Sequence, residues 1–391
     1  MSWHIPDLMI QRLEFVSLAK QPGVNFRQLC ARFGVSRRVG YKWLRRFEAG
    51  GFAALEDQSR RPRHFPRQCG EEVAQRVCEL HAQWGWGGRK IRRRLQDLGE
   101  QEVPAASTCT AILHRAGVFA ERAQPPARPL QRFRRDSPNA LIQLDFKGDF
   151  ATQDGRRCYP LAAIDDHSRF NLLLEASPNQ TGTSVRPALE RAFQRYGLPE
   201  ELLCDNGPPW GRGEPTCPYT TLTVWLLQLG VRVIHGRPYH PQTQGKQERF
   251  HRTVQRELLS RHTWRDLAHC AQHFASYRER YNCERPHDEL DGDTPVQHYR
   301  PSPRAFPTTL PTIEYPTGTQ VRVLRSYGFF AFGNQTWYVG RPFAGQPIGL
   351  RPSPQVDGLW QVWFAHHLLG HIDLTTPLLP KHKLRSIYSS P

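Results

Sequence analysis

Three carboxylates decide what this chain can fold into. Asp145 falls inside the apolar run Leu141-Ile142-Gln143-Leu144-Asp145-Phe146, and Asp205 ends a second run, Leu202-Leu203-Cys204, directly before Asn206-Gly207. Glu248 opens a basic, helix-like stretch after His240-Pro241-Gln242-Thr243-Gln244-Gly245. Acids in strand-like apolar runs need a reason to be there. Three of them brought together would repel unless cations lay between them, which is the logic of a divalent-metal site for phosphoryl chemistry.

The spacing of strand and helix signals says how they meet. Leu141–Phe150, Cys158–Asp165 and Phe170–Ser177 read as three successive strands, with Asp154-Gly155 turning the first into the second. Helix Ser184–Tyr196, strand Glu201–Asp205, helix Leu222–Leu229, strand Val231–His235 and helices at about 245–260 and 264–281 follow. Antiparallel strands followed by alternation predict a mixed α/β sheet over 139–300. If the strands of Asp145 and Asp205 are neighbours, both acids reach one sheet edge and Glu248 closes the site from a packed helix. Such a site would hold two Mg²⁺ (or Mn²⁺) ions about 3.5–4 Å apart, one activating a water or a DNA 3′-OH and one stabilising the leaving oxygen. Asp149 shares a strand face with Asp145 but reads as structural, and Asp165 and Asp166 read as holding the turn before Phe170.

Basic segments flank this core. Of the net charge of +17, residues 1–135 carry +13, residues 136–300 carry −1 and residues 301–391 carry +5. An Arg-rich excess of this kind suits a polyanion, most simply double-stranded DNA. Residues 1–50 read as a helix-turn-helix DNA-binding domain: Asn25 to Phe33 stops at Gly34, and Ser36 caps a helix to about Glu48. Val39, Trp43 and Phe47 repeat as its inner face, leaving Arg37, Arg38, Tyr41, Lys42, Arg45 and Arg46 for DNA, with a plain three-helix module as the alternative. Residues 51–69 form an Arg/Pro-rich connector.

Residues 70–118 read as a second helical DNA-binding unit, with helix Glu71–Gln83, basic helix Arg89–Leu98 and a Ser107-capped helix ending at Gly117. Trp84 and Trp86 suit core anchoring of a tight turn better than stacking on bases. Arg89, Lys90, Arg92, Arg93 and Arg94 cannot all face a core; Arg89, Lys90 and Arg93 are the expected phosphate contacts. A basic Pro-rich linker follows at 119–138, carrying Arg122, Arg128, Arg132, Arg134 and Arg135. Over 305–391 the pairs Val321/Val323, Phe330/Phe332 and Trp337/Val339 alternate around a Gly333-Asn334 hairpin, which predicts a small, SH3-like β-barrel.

No apolar stretch approaches the roughly 18 residues of a membrane span and no secretory signal opens the chain, so no membrane partner is expected. The nine cysteines form no C-x-x-C pair, which suits reduced thiols in a cytoplasmic protein.

The run His240-Pro241-Gln242-Thr243-Gln244-Gly245-Lys246-Gln247-Glu248 resembles the third catalytic motif of retroviral integrases. Gln143-Leu144-Asp145, Asp205-Asn206-Gly207, Ile164-Asp165-Asp166-His167-Ser168-Arg169 and Tyr281-Asn282 with Arg285-Pro286-His287 resemble bacterial insertion-sequence transposases with an integrase-type core. The resemblance implies a ribonuclease-H-like fold, a DDE triad of Asp145, Asp205 and Glu248, and transfer of element ends into target DNA. It further implies at least a dimer on paired ends, acting at the bacterial nucleoid. Two departures stand out. Glu248 follows Asp205 by 43 positions, longer than in the retroviral enzymes, through the loop Pro208–Thr221. A retroviral-type zinc module is missing at the N-terminus. Along the helix of Glu248, Gln244, Arg252 and Gln255 share a face suited to element-end DNA, with Lys246 and Arg249 offset toward phosphate. His240 would touch DNA or shape its loop.

Three functions fit these features: a transposase that cuts and joins DNA, a non-catalytic transposase-derived regulator, and a nuclease acting on RNA–DNA hybrids. The intact set of acids favours the first over the second, and the basic helix-turn-helix favours duplex DNA over hybrids.

Overall fold

The computed structural model describes residues 8–57, 69–118, 134–211, 218–235 and 245–375, with the backbone of 382–383 and 385–386. The chain divides into two compact units, Met1–Gln68 and Cys69–Pro391. Among the described residues no helix is long and apolar enough to cross a membrane, and no disulfide is formed.

The first unit packs α1 (Leu8–Ala19), α2 (Phe26–Arg32) and α3 (Arg37–Gly50) around a small core. Caps set the helix starts. The Asn25 side chain accepts from the amides of Arg27 and Gln28, and the Ser36 hydroxyl accepts from Val39. The inner face of α3 is rotated by one position from the expected Val39–Trp43–Phe47 stripe. Gly40 and Trp43 are buried, whereas Val39 is 37% exposed. The cause is close approach: a Cβ on Gly40 would stand 2.8 Å from Cys30 Sγ and 2.9 Å from Phe15 Cζ. The bare backbone lets the helices touch there and turns Val39 outward.

The second unit opens with α4 (Glu71–Trp84), α5 (Gly88–Asp97) and α6 (Ala106–Arg115) around Val77, Leu80, Trp86, Ile91, Leu95 and Leu113. Trp86 is buried and stacks on Trp84, whose ring also carries Arg280 at 4.2 Å, so the tryptophans are anchors. Ser107 is not a cap. The helix α6 starts a residue before it, with Ala105 at the N-cap and no side-chain bond. A Cβ on Gly88 would meet the Ala106 carbonyl at 2.4 Å, so α5 and α6 are also in close backbone approach.

The central sheet has strands β1 (Ile142–Phe146), β2 (Phe150–Ala151), β3 (Arg157–Asp165), β4 (Asn171–Ser177), β5 (Glu201–Cys204) and β6 (Arg232–His235). Its order is β2-β3-β1-β5-β6, with β4 also paired to β3. β1, β3 and β4 are antiparallel; β1, β5 and β6 are parallel, giving the expected mixed α/β sheet. The long first strand breaks into β1 and β2 because Gly148 adopts φ +79° between them. One face is covered by α7 (Gly182–Tyr196) and α8 (Thr221–Gln228). The other is covered by α9 (Gly245–Glu257) and α10 (Leu267–Cys283). The helix α10 starts later than its pattern suggested because Asp266 caps it, accepting from the His269 amide at 2.7 Å. A short helix, α11 (Pro295–His298), precedes the β region.

The C-terminal part forms two sheets. One contains β7 (Gln320–Val323), β10 (Pro347–Pro352), β11 (Leu359–Phe364), β12 (His367–Asp373) and β14 (Arg385–Ser386). The other contains β8 (Phe329–Phe332), β9 (Gln335–Tyr338) and β13 (His382–Lys383). Gly333 and Asn334, both at φ +59°, make the β8–β9 hairpin. Both sheets share one core with Tyr219, Val224 and Leu227 of the α8 region. Val321 and Val323 do not join it. They stand outward on the edge strand β7, 45% and 64% exposed.

Candidate active site

The parallel pairing of β1 with β5 runs Ile142↔Leu202 and Gln143↔Leu203. Continuing that register by two residues sets Asp145 opposite Asp205. Ile142, Leu144, Leu202 and Cys204 all face the α7–α8 core. By strand alternation Asp145 and Asp205 then face the α9 side. The helix α9 is fixed on that side by buried Gln247, whose amide nitrogen Nε2 donates to the Ala162 carbonyl at 3.0 Å. The backbone N–H of Gln247 reaches Gln143 Oε1 at 3.3 Å. Glu248 is the next residue, exposed on the first turn.

The acids are electrostatically coupled. Burial pushes the Asp145 carboxyl up to about 7, with Asp205 and then Glu248 adding to it and the Phe146 amide opposing it. Burial also raises Asp205, against the Gly207 amide and His235. Asp205 Oδ1 is buried with no hydrogen-bond partner among the described residues. His235 Nδ1 lies 2.9 Å from the Asp205 carbonyl, bracing the strand end. Among the described residues no three His, Cys, Asp or Glu side chains are arranged to hold a single ion. The coupling is electrostatic, with Asp205 and, less strongly, Glu248 both raising Asp145.

One neighbour escaped the sequence reading. His251 Nδ1 stands 4.0 Å from Asp145 Oδ2, and its Nε2 lies 3.2 Å from Gln247 Nε2. Burial, then Lys147, pushes its pKa down to about 4, so the ring is neutral at pH 7. The available signal was its position three residues after Glu248, on an adjoining part of the helix face.

The supporting acids take structural roles. Asp165 accepts from the Asn139 amide and from Ser168 N and Oγ, holding the turn before Phe170. Asp166 accepts from the Arg135 amide, from Gln143 Nε2 and from Lys246 Nζ at 2.5 Å. Asp149 is paired with Arg157.

The proposed DNA-facing residues divide. Arg37, Arg38, Tyr41, Lys42 and Arg45 are exposed on α3, with Tyr41 stacked on Phe26 at 4.2 Å. Arg46 is half-buried over the Trp43 ring. Arg89 is exposed, but Lys90 pairs with Asp288 at 2.7 Å and Arg93 with Asp97 and Asp293 at 2.9 and 3.1 Å. On α9, Arg252 is exposed, Arg249 pairs with Glu289, and Gln255 donates to Ser260 at 2.9 Å. Gln244, His240, most of the 119–138 linker and part of the loop after Asp205 lie outside the described residues.

Comparison with known families agrees with this layout. Models of the integrase core domain match residues 135–241 and 229–295. A helix-turn-helix domain matches 11–63, a homeodomain-like domain 39–113, and the C-terminal domain of IS481 family transposases 319–378. The chain is 25% identical over 275 residues to the insertion element IS476 uncharacterized 39.2 kDa protein of Xanthomonas euvesicatoria, covering 68% of this chain and 75% of that protein. It is 29% identical over 177 residues to the insertion element IS407 uncharacterized 31.7 kDa protein of Burkholderia multivorans, covering 45% of this chain and 58% of that one. A looser likeness, at 16% identity and a TM-score of 0.39, links 73% of the chain to 91% of a chain in the simian T-cell lymphotropic virus intasome bound to a PP2A regulatory subunit. Helix-turn-helix domains ahead of an integrase core, with an IS481-type transposase C-terminal domain behind it, are the features that this chain shares with transposases of bacterial insertion elements that carry an integrase-type core.

Proposed function

We propose that this chain is a transposase that binds the terminal inverted repeats of its element and catalyses metal-dependent DNA cleavage and strand transfer, with Asp145, Asp205 and Glu248 as the catalytic acids. The observation that carries the reading is the Asp145 carboxyl, raised by burial and by two further acids. Such a group is stabilised as an anion when a cation joins it. The donors are hard oxygens suited to Mg²⁺ or Mn²⁺, and Asp205 Oδ1, which has no hydrogen-bond partner among the described residues, fits a ligand role. Asp145 and Asp205 would hold the metal, two ions in our reading, with Glu248 completing the set from α9. When bound, the metal supplies Lewis acidity at the scissile phosphate and at the attacking oxygen, a water first and a DNA 3′-OH second.

The chain's own residues supply the geometry. The β1–β5 register aligns the two aspartates, Gln247 sets the height of α9, and neutral His251 adds no charge to compete with a cation. Residues 1–50 and 70–118 would read the element ends, 119–138 would link them to the core at 139–300, and 305–391 would form a small barrel beside it. At least two copies would act together on paired ends, in the bacterial cytoplasm at the nucleoid.

Asp205→Ala tests the proposal on duplex carrying the element end. It should lose Mg²⁺-dependent cleavage and strand transfer while keeping end-binding. Undiminished cleavage in that variant would sink the assignment, and a wild-type protein that binds ends but never cuts would leave a regulator instead.

A further inference from the structure

Arg285 and His287 have no part in the acid site, yet they line a cleft of about 320 Å³ on another side of α9. The same cleft is lined by Lys90 from α5, by Arg169 from the β3–β4 turn, and by Arg249, Arg252 and Arg256 from α9. With Lys246, seven cationic side chains line it, against two carboxylates, Asp288 and Glu289.

The ion pairs do not neutralise this excess. Glu289 serves both Arg169, at 2.9 Å, and Arg249. Glu257, behind the wall, serves both Arg285, at 2.9 Å, and Arg256, at 3.3 Å. Lys90 has Asp288 and Lys246 has Asp166. Counting all four acids, seven positive charges face four negative ones. Arg252 is exposed and has no carboxylate partner among the described residues.

His287 supplies a second, independent sign. It is 8% exposed, and its Nδ1 has no hydrogen-bond partner among the described residues. Burial, then Arg285, Lys90, Arg169 and Arg249, hold its pKa well below the ordinary histidine range, so the ring is neutral. A neutral imidazole can donate one N–H to an anion without adding to the surplus charge. Guanidinium forks beside it can grip the oxygens of a phosphate in bidentate pairs.

We propose that this cleft is a phosphate pocket, with Arg252, Arg249 and His287 as its contacts, and that in the working protein it grips one backbone phosphate of duplex DNA. The choice of DNA rests on the proposed function; the pocket itself does not. The helix α9 is the common wall, with Glu248 and His251 toward the acids and Arg249, Thr253 and Arg256 toward the cleft. A phosphate held there would fix the duplex relative to the acids.

The test uses the full chain in EDTA, so that binding is read without cleavage. Duplexes carrying the element end are given a single neutral methylphosphonate at each position in turn, and affinities are compared for wild type, Arg252→Gln and His287→Gln. Each variant should bind about 3–10-fold more weakly, and Arg252→Gln should lower the slope of log K against log salt by about 0.9. One methylphosphonate position that weakens wild type should have no effect in the variants. Inorganic phosphate, added at constant ionic strength, should raise the wild-type melting temperature and not that of Arg252→Gln.

Phosphate protection without any change in the methylphosphonate pattern would overturn DNA as the ligand and leave a free phosphate. Unchanged slope, pattern and protection in both variants, each melting as wild type does, would overturn the pocket. Because Arg252 is exposed, its replacement is not expected to disturb folding, so that outcome stays readable if His287→Gln fails to fold. Loss of the catalytic reading would show as absent cleavage with this binding pattern intact.

Discussion

Helices α3 and α5 are both rich in arginine, and a count of charges would treat them alike. Their surroundings do not. On α3, Arg37, Arg38, Lys42 and Arg45 are exposed, and none is paired with a carboxylate among the described residues. On α5, Lys90, Arg93 and Arg94 meet Asp288, Asp293 and Glu284 at 2.7, 3.1 and 2.5 Å. The first helix presents its charge; much of the second helix's charge fastens it to the segment after α10. A basic helix is a candidate DNA surface only after its acidic partners have been subtracted. The acids divide in the same way: those facing α5 are satisfied by cations, whereas Asp145 and Asp205 face each other.

The strongest attempt to break this contrast replaces Arg37, Arg38, Lys42 and Arg45 with Gln. Duplex affinity should fall by about 10²–10³-fold at physiological salt, and the salt slope by about 3 to 4, with melting unchanged. Gln at Lys90, Arg93 and Arg94 should instead lower stability by about 1–2 kcal/mol in thermal melts, because one exposed and two part-exposed acids lose their partners. Equal affinity losses with equal melting temperatures would erase the distinction.

Next comes Asp145→Asn, scored by melting across pH. The folded carboxyl titrates near 7, above its unfolded value, so ionising it opposes folding and stability is lost as pH rises from about 4 to about 7. The variant should be more stable than wild type at pH 8 without metal, by roughly 3 kcal/mol, with the gain vanishing near pH 4. Glu284→Gln, the satisfied counterpart, should destabilise at pH 8. A gain there would show the Arg94 pair to be dispensable.

Smaller effects separate the helices' seats. Gly88→Ala should cost about 2–3 kcal/mol, since its Cβ would run into the backbone of α6. Gly40→Ala should cost less, about 1–2 kcal/mol, because the tips of Cys30 and Phe15 can give way. Smallest is the cap: Ser36→Ala should remove about 1 kcal/mol from α3 in denaturant titration. The α5 cap is Gly87, with no side-chain bond, and Gly87→Ser should gain only a few tenths.

What could be read from the sequence was local. Asn25 and Ser36 announced two helix starts and alternation announced the strands, but that the strands of Asp145 and Asp205 are neighbours was only a condition, met by the β1–β5 pairing. The Gly333-Asn334 turn and the anchoring tryptophans were equally visible. The partners of α5 were not, because Arg94 and Glu284 lie 190 positions apart with no local mark on either. The rotation of α3 was missed for a related reason: a periodic stripe does not say that Gly40 must touch another helix. His251 was within reach of helical spacing, but its burial beside Asp145 belongs to the tertiary packing of α9 on β1. Ser107 shows the opposite error, a good capping residue that lies two positions past the actual cap, Ala105, inside the helix.

The fastening of α9 to the sheet by Gln247 has one more consequence. The parts that set its distance from β1 are two amide side chains and a carbonyl, none of which gains or loses a proton across any working pH. Around them stand carboxylates and an imidazole whose charges depend on burial and on each other. The bonds that hold the helix of Glu248 in place thus carry no charge of their own, and charge reaches them only at one remove, through Asp166 on Gln143 and His251 beside Gln247.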